Sequence, residues 1–125
     1  MSVLVDTSVW VDHFRNSNDE LTLLLSSGQV LCHPLVVGEI ACGSPPKRLQ
    51  TIVDLQKLET TQSASLKEAM ALIENQRLFG LGCGLIDLLL LASTMLTPDA
   101  KLWTLDRNLS KLARRFEVSY VVKKH

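Results

Sequence analysis

The amino-acid sequence predicts an α/β fold in which a mainly parallel central sheet carries helices on both faces. Two observations favour this fold. Short apolar runs of strand length alternate along the chain with segments whose apolar residues recur at helical spacing, which is typical of parallel sheets with crossover helices. In addition, Asp6 and Asp106 each follow a predicted strand directly, and ligands collect at that edge of such sheets.

A strand and a helix begin the chain. Residues 2–5 are an apolar run that ends at Asp6, and the apolar residues of segment 7–14 then recur at helical spacing. A second helix is predicted over residues 21–25, because two serines and a glycine follow this leucine-rich segment. A second strand, residues 29–32, comes next.

The third and fourth helices have clear boundary signals. Pro34 suits the first position of a helix because the N–H that it lacks has no partner there, and Gly43 with the following Ser-Pro-Pro cluster ends that helix. Ser65 and Glu68 have the spacing of a capping box. An apolar stripe at helical spacing follows the box: Leu66, Ala69, Met70 and Ile73.

Two helices and two strands complete the prediction. A helix begins after a glycine and covers residues 85–96. A strand over 101–105, a helix over 106–115 and a closing strand over 118–122 follow. Because the chain has no repeat, low-complexity tract or linker, we expect residues 1–125 to form a single domain.

The composition excludes several classes of protein. Apolar residues make up 46% of the chain and charged residues 21%, which argues against disorder. The N-terminus lacks the basic segment of a secretory signal. Glycines and Asp87 interrupt the most apolar stretch, residues 78–96, which leaves no run long enough to span a bilayer. We therefore expect a soluble, cytoplasmic protein.

Four acidic residues stand out, although each has an ordinary structural explanation. Asp6 and Asp106 lie where a helix N-cap belongs, and Asp is among the preferred N-caps. Asp87 would lie in the first turn of a helix, where the helix dipole favours negative charge. Glu39 could face solvent.

The four acids are better explained together, as one site. Two lie at strand ends, and the other two interrupt the apolar segments VVGEIAC and LIDLLLL, where a charge is unexpected. Packed carboxylates repel one another unless a cation lies between them. Ligand sets of oxygen atoms suit Mg²⁺ or Mn²⁺, and an ion held in this way can activate water against a phosphodiester.

Four short motifs resemble those of the PIN domain in the VapC toxins of type II toxin-antitoxin systems. In chain order they are VDTSVWV, VVGEIACG, GCGLIDLLLLAS and LWTLDRNL, and the resemblance extends from Val3 to about Val122. It implies a PIN-like three-layer α/β/α domain and a metal-dependent endoribonuclease that hydrolyses RNA phosphodiester bonds. It also implies Mg²⁺ or Mn²⁺ as the cofactor, a cognate VapB-like antitoxin as the inhibitor, and a homodimer.

The same resemblance gives residues of this chain their expected roles. The catalytic metal ligands would be Asp6, Glu39, Asp87 and Asp106. Ser8 and Thr104 would be supporting polar groups beside them. This sequence departs from many relatives at Asn108, where they place a further acid. Asn108 can still form hydrogen bonds at the site, but its presence favours one tightly held ion over two.

A net charge of zero conceals an acidic body and a basic C-terminal segment. The first 100 residues include 6 basic and 11 acidic residues, whereas the last 25 include 7 basic and 2 acidic residues. Lys111, Arg114 and Arg115 lie at i, i+3 and i+4 of the last predicted helix, and with Lys123 and Lys124 they could bind RNA phosphates. Alternatively, these residues could merely complement the dipole of that helix.

An apolar surface for the antitoxin is predicted on the first two helices. Trp10 and Phe14 lie four residues apart, a spacing that favours a core or partner-facing role over stacking on RNA bases. An exposed part of this stripe, continuing through Leu21, Leu24 and Leu25, would suit an antitoxin helix laid in a groove.

The main alternative function is a PIN-like module that binds RNA or a protein without cutting. A receiver domain would need two adjacent acids after the first strand, and an aspartyl phosphatase would need an aspartate where Ser8 stands. A nuclease that acts on DNA would use the same carboxylate chemistry, because that chemistry does not itself recognise the 2′-OH.

Overall fold

The computed structural model describes residues 1–122, in which helices flank one parallel sheet. The strands are β1 (Ser2–Val5), β2 (Val30–Cys32), β3 (Glu59–Thr60) and β4 (Ala100–Trp103), in the spatial order β3-β2-β1-β4. The helices are α1 (Thr7–Asn16), α2 (Asp19–Ser26), α3 (Pro34–Ala41), α4 (Arg48–Gln56), α5 (Leu66–Gln76), α6 (Leu85–Leu96) and α7 (Arg107–Arg115). All neighbouring strands are parallel, so their carboxyl ends meet at one edge of the sheet.

The central strand β1 is covered from both sides. Val3, Leu4 and Val5 have no exposed surface, although successive side chains of a strand point to opposite faces. Helices therefore bury both faces of the sheet, as is usual for parallel strands joined by crossover helices. The predicted three-layer α/β/α fold with a parallel central sheet is confirmed.

The predicted helix boundaries are confirmed where the signal is local. Ser65 Oγ accepts a hydrogen bond from the Glu68 N–H at 3.0 Å, and Glu68 Oε1 accepts one from the Ser65 N–H at 2.9 Å, which forms the capping box of α5. The apolar stripe of this helix is only partly buried. Ala69 is fully buried, whereas Leu66 and Met70 are about half exposed.

Residues 48–60 contain two elements that the sequence did not predict. In α4 only Leu55 is buried, and Lys47 at its N-cap makes no capping hydrogen bond, so no boundary signal marks the start of this helix. The strand β3 has two residues, both exposed, and it pairs with β2 through Leu31 and Glu59. Tertiary contacts with β2 and α3 stabilise these elements, and a single sequence does not reveal such contacts.

The closing strand predicted over residues 118–122 is wrong in its extent. This segment meets β4 at a single bridge, between Leu102 and Ser119, with two backbone hydrogen bonds of 2.6 and 2.9 Å at Leu102. Val121 and Val122 beyond the bridge are exposed and belong to no strand. The basic residues predicted at positions 123 and 124 (Lys123 and Lys124) lie outside the described residues.

The apolar surface predicted on the first two helices is largely interior. Trp10, Leu21 and Leu24 are buried in the core, and Phe14 and Leu25 pack against it. The hypothesis of an exposed surface is therefore wrong for Trp10, Leu21 and Leu24, which α1 and α2 turn towards the core, whereas Phe14 and Leu25 are only partly buried. Within residues 1–122, none of the helices combines the length and the apolar character needed to cross a bilayer.

Candidate active site

The four acids of the sequence motifs come from four different elements near one edge of the sheet. Asp6 directly follows β1, and Asp106 precedes α7 in the connection from β4. Glu39 lies on α3, and Asp87 lies in the first turn of α6. Because the strands are parallel, the two aspartates of the connecting segments meet at the carboxyl edge of β1 and β4.

The pKa of Asp87 reports how these charges are arranged. Burial raises this pKa, and the negative charges of Asp6, Asp106 and Glu39 raise it further, whereas the hydrogen bond from the Gly84 N–H lowers it. All three other acids therefore lie within electrostatic range of Asp87. Within residues 1–122, however, no group of three acidic, histidine or cysteine side chains stands close enough to hold an ion as arranged, and repulsion between like charges favours such spacing.

Asp6 is the buried member of the group, with 6% of its surface exposed. It occupies the N-cap position of α1, but its carboxylate makes no capping hydrogen bond. Its Oδ2 atom instead accepts hydrogen bonds from Ser8 Oγ at 2.7 Å and from Thr104 Oγ1 at 2.8 Å. The N-cap explanation therefore does not account for this carboxylate.

Both hydroxyls that hold Asp6 are themselves fixed by the backbone that leads to Asp106. Ser8 Oγ accepts a hydrogen bond from the Leu105 N–H, and Thr104 Oγ1 accepts one from the Asp106 N–H, each at 3.0 Å. Since each hydroxyl accepts from an N–H, its own hydrogen is free to point at Asp6. This network joins the start of α1 to the segment between β4 and α7.

Two of the acids have the structural roles expected from their helix positions. Asp106 Oδ1 accepts a hydrogen bond from the Leu109 N–H at 2.9 Å and so caps α7. Asp87 Oδ2 accepts one from the Gly84 N–H at 3.3 Å, at the start of α6. Each of these bonds engages one oxygen of the carboxylate, so the cap does not exclude a second role for the other oxygen.

Glu39 is exposed and has a partner that sequence reasoning missed. Thr7 Oγ1 donates a hydrogen bond to Glu39 Oε1 at 2.7 Å and thereby links α1 to α3. The two residues are 32 positions apart, so no local pattern predicts the contact. The available signal was the polar run Asp6-Thr7-Ser8 directly after a buried strand.

Asn108 contacts the loop that leads to Asp87. Gly82 has a φ of 84°, and a Cβ added to it would lie 2.3 Å from Nδ2 of Asn108. Glycine suits this position because it adopts a positive φ at little cost, and a Cβ here would displace the Asn108 side chain. Asn108 thus packs the start of α7 against the segment before α6. This contact brings together the N-terminal ends of the two helices that carry Asp106 and Asp87.

The basic residues of α7 divide into two groups. Lys111 and Arg114 line a groove beside Asp106, together with Arg107, which the sequence hypothesis had left out. Arg115 turns elsewhere: its Nη2 donates to the Gln76 carbonyl at 3.1 Å, and its guanidinium lies over the Phe116 ring.

The donor atoms suit a hard divalent cation. The four acids offer oxygen atoms only, and such sets favour Mg²⁺ or Mn²⁺. Cys83 lies near enough to feel Asp87 and Asp106, but burial followed by these two charges raises its pKa to about 11. Its thiol therefore stays protonated at neutral pH and does not offer a thiolate for a soft metal.

The chain is similar in sequence and in fold to several known proteins. The family model of the PIN domain matches residues 3–115. Ribonuclease VapC32 of Mycobacterium tuberculosis, from strains CDC 1551 / Oshkosh and ATCC 25618 / H37Rv, is 39% identical over 107 residues, which cover 86% of each chain. A chain in the crystal structure of VapBC2 from Rickettsia felis bound to a DNA fragment from their promoter has a TM-score of 0.64 and 21% identity, over 91% of this chain and 92% of that one.

Proposed function

The chain belongs to the PIN-domain family, among its VapC-type ribonucleases, and on that premise we propose that it is a divalent-metal-dependent endoribonuclease. It would hydrolyse RNA phosphodiester bonds at a centre of four carboxylates: Asp6, Glu39, Asp87 and Asp106. The observation that carries this function is that Ser8 and Thr104 hold the buried carboxylate of Asp6 beside the backbone that leads to Asp106. Four acids from separate elements within one electrostatic neighbourhood favour a cation that offsets their charge.

These carboxylates would hold Mg²⁺ or Mn²⁺. When bound, such an ion supplies an activated water and neutralises the charge that develops on the phosphodiester. Ser8 and Thr104 fix the orientation of Asp6 through Oδ2, and Thr7 fixes Glu39 through Oε1. Asn108 supports the site from α7 by packing on the loop before α6. With water as the nucleophile, hydrolysis needs no nucleophilic side chain.

A VapB-like antitoxin would block the site from the side of Glu39. A groove of about 400 Å³ between α1 and the end of α3 is lined by Thr7, Val11, Phe14, Arg15, Glu39, Ile40, Gly43, Ser44, Pro45 and Pro46. An apolar antitoxin segment in this groove would cover Glu39.

A Phe14→Asp variant should lose the complex on co-purification with the antitoxin encoded beside it, while an exposed-face control, Leu49→Asp, should keep it. Equal retention by both variants would contradict this surface.

We also propose that the chain forms one domain over residues 1–125 and acts as a homodimer in the cytoplasm, where its RNA substrate is. Leu72, Met95 and Leu96 line a shallow apolar groove between α5 and α6 that a second copy would cover. Light scattering after size-exclusion chromatography should show a dimer for the wild type and a monomer for Met95→Glu. A dimer in both proteins would exclude this face.

The central experiment is cleavage of a mixed cellular RNA pool by the purified protein with Mg²⁺, with Mn²⁺ and with EDTA. Asp6→Asn and Asp87→Asn proteins of verified fold run beside it, and Glu74→Gln, an exposed acid on α5, is the matched control. We expect metal-dependent cleavage by the wild type and the control, and none by the two aspartate variants.

The opposite results distinguish the alternatives. If neither cleavage nor metal binding is measured for the wild type, the chain is better described as a PIN-like module that binds RNA or a protein without cutting. Cleavage that survives in EDTA, or in both aspartate variants, would refute the carboxylate centre. Faster cutting of single-stranded DNA than of RNA would refute the assignment of the substrate.

A further inference from the structure

A basic groove runs along α7 beside the carboxylates. It encloses about 490 Å³ and is lined by Thr104, Leu105, Asp106, Arg107, Ser110, Lys111 and Arg114. Its three basic residues lie at i, i+4 and i+7, which places them on one face of the helix. They span about 10 Å of helix axis, which is the length of about three nucleotides of a stacked strand.

The positive charges of this groove are not used by the fold. Arg107, Lys111 and Arg114 make no ion pair within the part of the chain that the structure describes, where the one such pair joins the N-terminus to Asp99. They also donate no side-chain hydrogen bond to any residue between positions 1 and 122. Three charges that form no ion pair with the described residues are available to an anionic ligand.

Complementing the helix dipole does not explain this arrangement. Arg114 lies in the last turn of α7, where a positive charge is favourable. Arg107, however, is the first residue of the helix, where the dipole disfavours a positive charge. The helix dipole therefore does not explain Arg107, and although Asp106 lines the same groove, the two residues form no ion pair within the described part of the chain.

We propose that this groove binds the phosphate backbone of single-stranded RNA and leads it across Asp106 to the carboxylates. This role rests on the proposed ribonuclease function. An acidic centre repels a polyanion, so attraction has to come from charges beside it. The two arginines can bind phosphate oxygens in a bidentate manner, and the lysine adds a point charge between them.

Fluorescence anisotropy with a labelled 12-nucleotide polyuridine tests the groove in EDTA, where no cleavage is expected. The logarithm of the binding constant should fall with the logarithm of salt concentration, with a slope of about 0.7 for each phosphate contact. Arg107→Gln, Lys111→Gln and Arg114→Gln should each reduce that slope by about 0.7, and the triple variant by about 2. Arg115→Gln removes one charge from the same helix outside the groove, and Lys57→Gln removes one from the end of α4. Both should keep the wild-type slope.

Three results would refute the proposal that this groove binds RNA. The first is a wild-type slope in the triple variant, and the second is a loss in Arg115→Gln equal to that in Arg107→Gln. The third is tighter binding of a 12-residue polyglutamate than of the RNA, which would assign the groove to an acidic protein.

Cleavage kinetics separate the groove from the function on which it rests. The triple variant should cut RNA with a raised KM and an unchanged kcat. If the wild type binds RNA through the groove but cuts no RNA with either metal, the proposed ribonuclease activity is refuted and the proposed RNA-binding groove is supported. If the wild type cuts RNA with metal but the triple variant keeps the wild-type salt slope, the ribonuclease activity is supported and the RNA-binding groove is refuted.

Discussion

The hydroxyl of Thr104 provides a direct test of how Asp6 is held. Thr104→Val keeps the shape of the side chain but removes a donor to Asp6 Oδ2 and an acceptor for the Asp106 N–H. Asp6 is 6% exposed, so water cannot readily replace the lost donor. A hydrogen bond to a charged group contributes about 1.5 to 3 kcal/mol. Because Ser8 still donates to the same oxygen, we expect a loss of about 2 kcal/mol in the free energy of unfolding.

Urea denaturation measures this loss. At a slope of about 1 to 3 kcal/mol per molar urea, the unfolding midpoint should fall by roughly 1 M. Thr51→Val is the matched control, because that hydroxyl donates to the neutral Pro46 carbonyl at an exposed site and should cost less than about 1 kcal/mol. Thr104→Ser keeps the hydroxyl and should unfold close to the wild type. A wild-type midpoint for Thr104→Val, or equal destabilisation by the serine variant, would show that the hydroxyl does not hold Asp6.

Three further changes have defined outcomes. Asp87→Asn should abolish metal-dependent cleavage but leave the urea midpoint unchanged or higher, because it removes one of four mutually repelling charges; a variant that still cuts contradicts this. Gly82→Ala should lose about 1 to 3 kcal/mol of stability, because its φ is 84° and the new Cβ would meet Asn108. An unchanged midpoint in urea would remove the reason for glycine there. Stability should decline as the pH falls below about 6.5, because burial lowers the pKa of His33 in the folded state. Nδ1 of that ring accepts the Leu35 N–H at 3.0 Å, so the folded protein holds the neutral imidazole. This contribution is complete above the unfolded pKa and is lost as the pH falls towards the lower folded value; melting curves of wild type and His33→Gln at pH 7.5 and 5.5 should show a smaller decline in the variant.

Most helices and strands were predictable because their signals are local. The capping box of Ser65 and Glu68 formed as its spacing predicts, and the three buried residues of β1, Val3 to Val5, form a continuous apolar run. Residues 48–60 were missed because α4 has no N-cap or capping-box signal and β3 has only two residues, both exposed. The closing segment near Ser119 was overpredicted, since an apolar run does not specify how many residues pair with β4.

In the candidate site, too, local features were predictable from the sequence and long-range contacts were not. The sequence drew attention to Asp6 and Asp87 because a charge beside or within an apolar run needs a compensating partner. It did not identify that partner for Glu39, since Thr7 lies 32 residues away. Whether such distant residues meet depends on how the helices pack on the sheet.

The sequence by itself determined the layered α/β architecture and the acids that interrupt its apolar segments, because periodicity and charge are properties of neighbouring residues. Only the tertiary structure decided which cations face those acids. By helical spacing Arg115 belongs with Lys111 and Arg114, yet it binds the end of α5, and Arg107 takes its place in the groove. The physical reason is that burial of the apolar side of α7 sets the rotation of the helix and therefore the direction of every other face. The buried residues of that side are Leu109, Leu112 and Ala113.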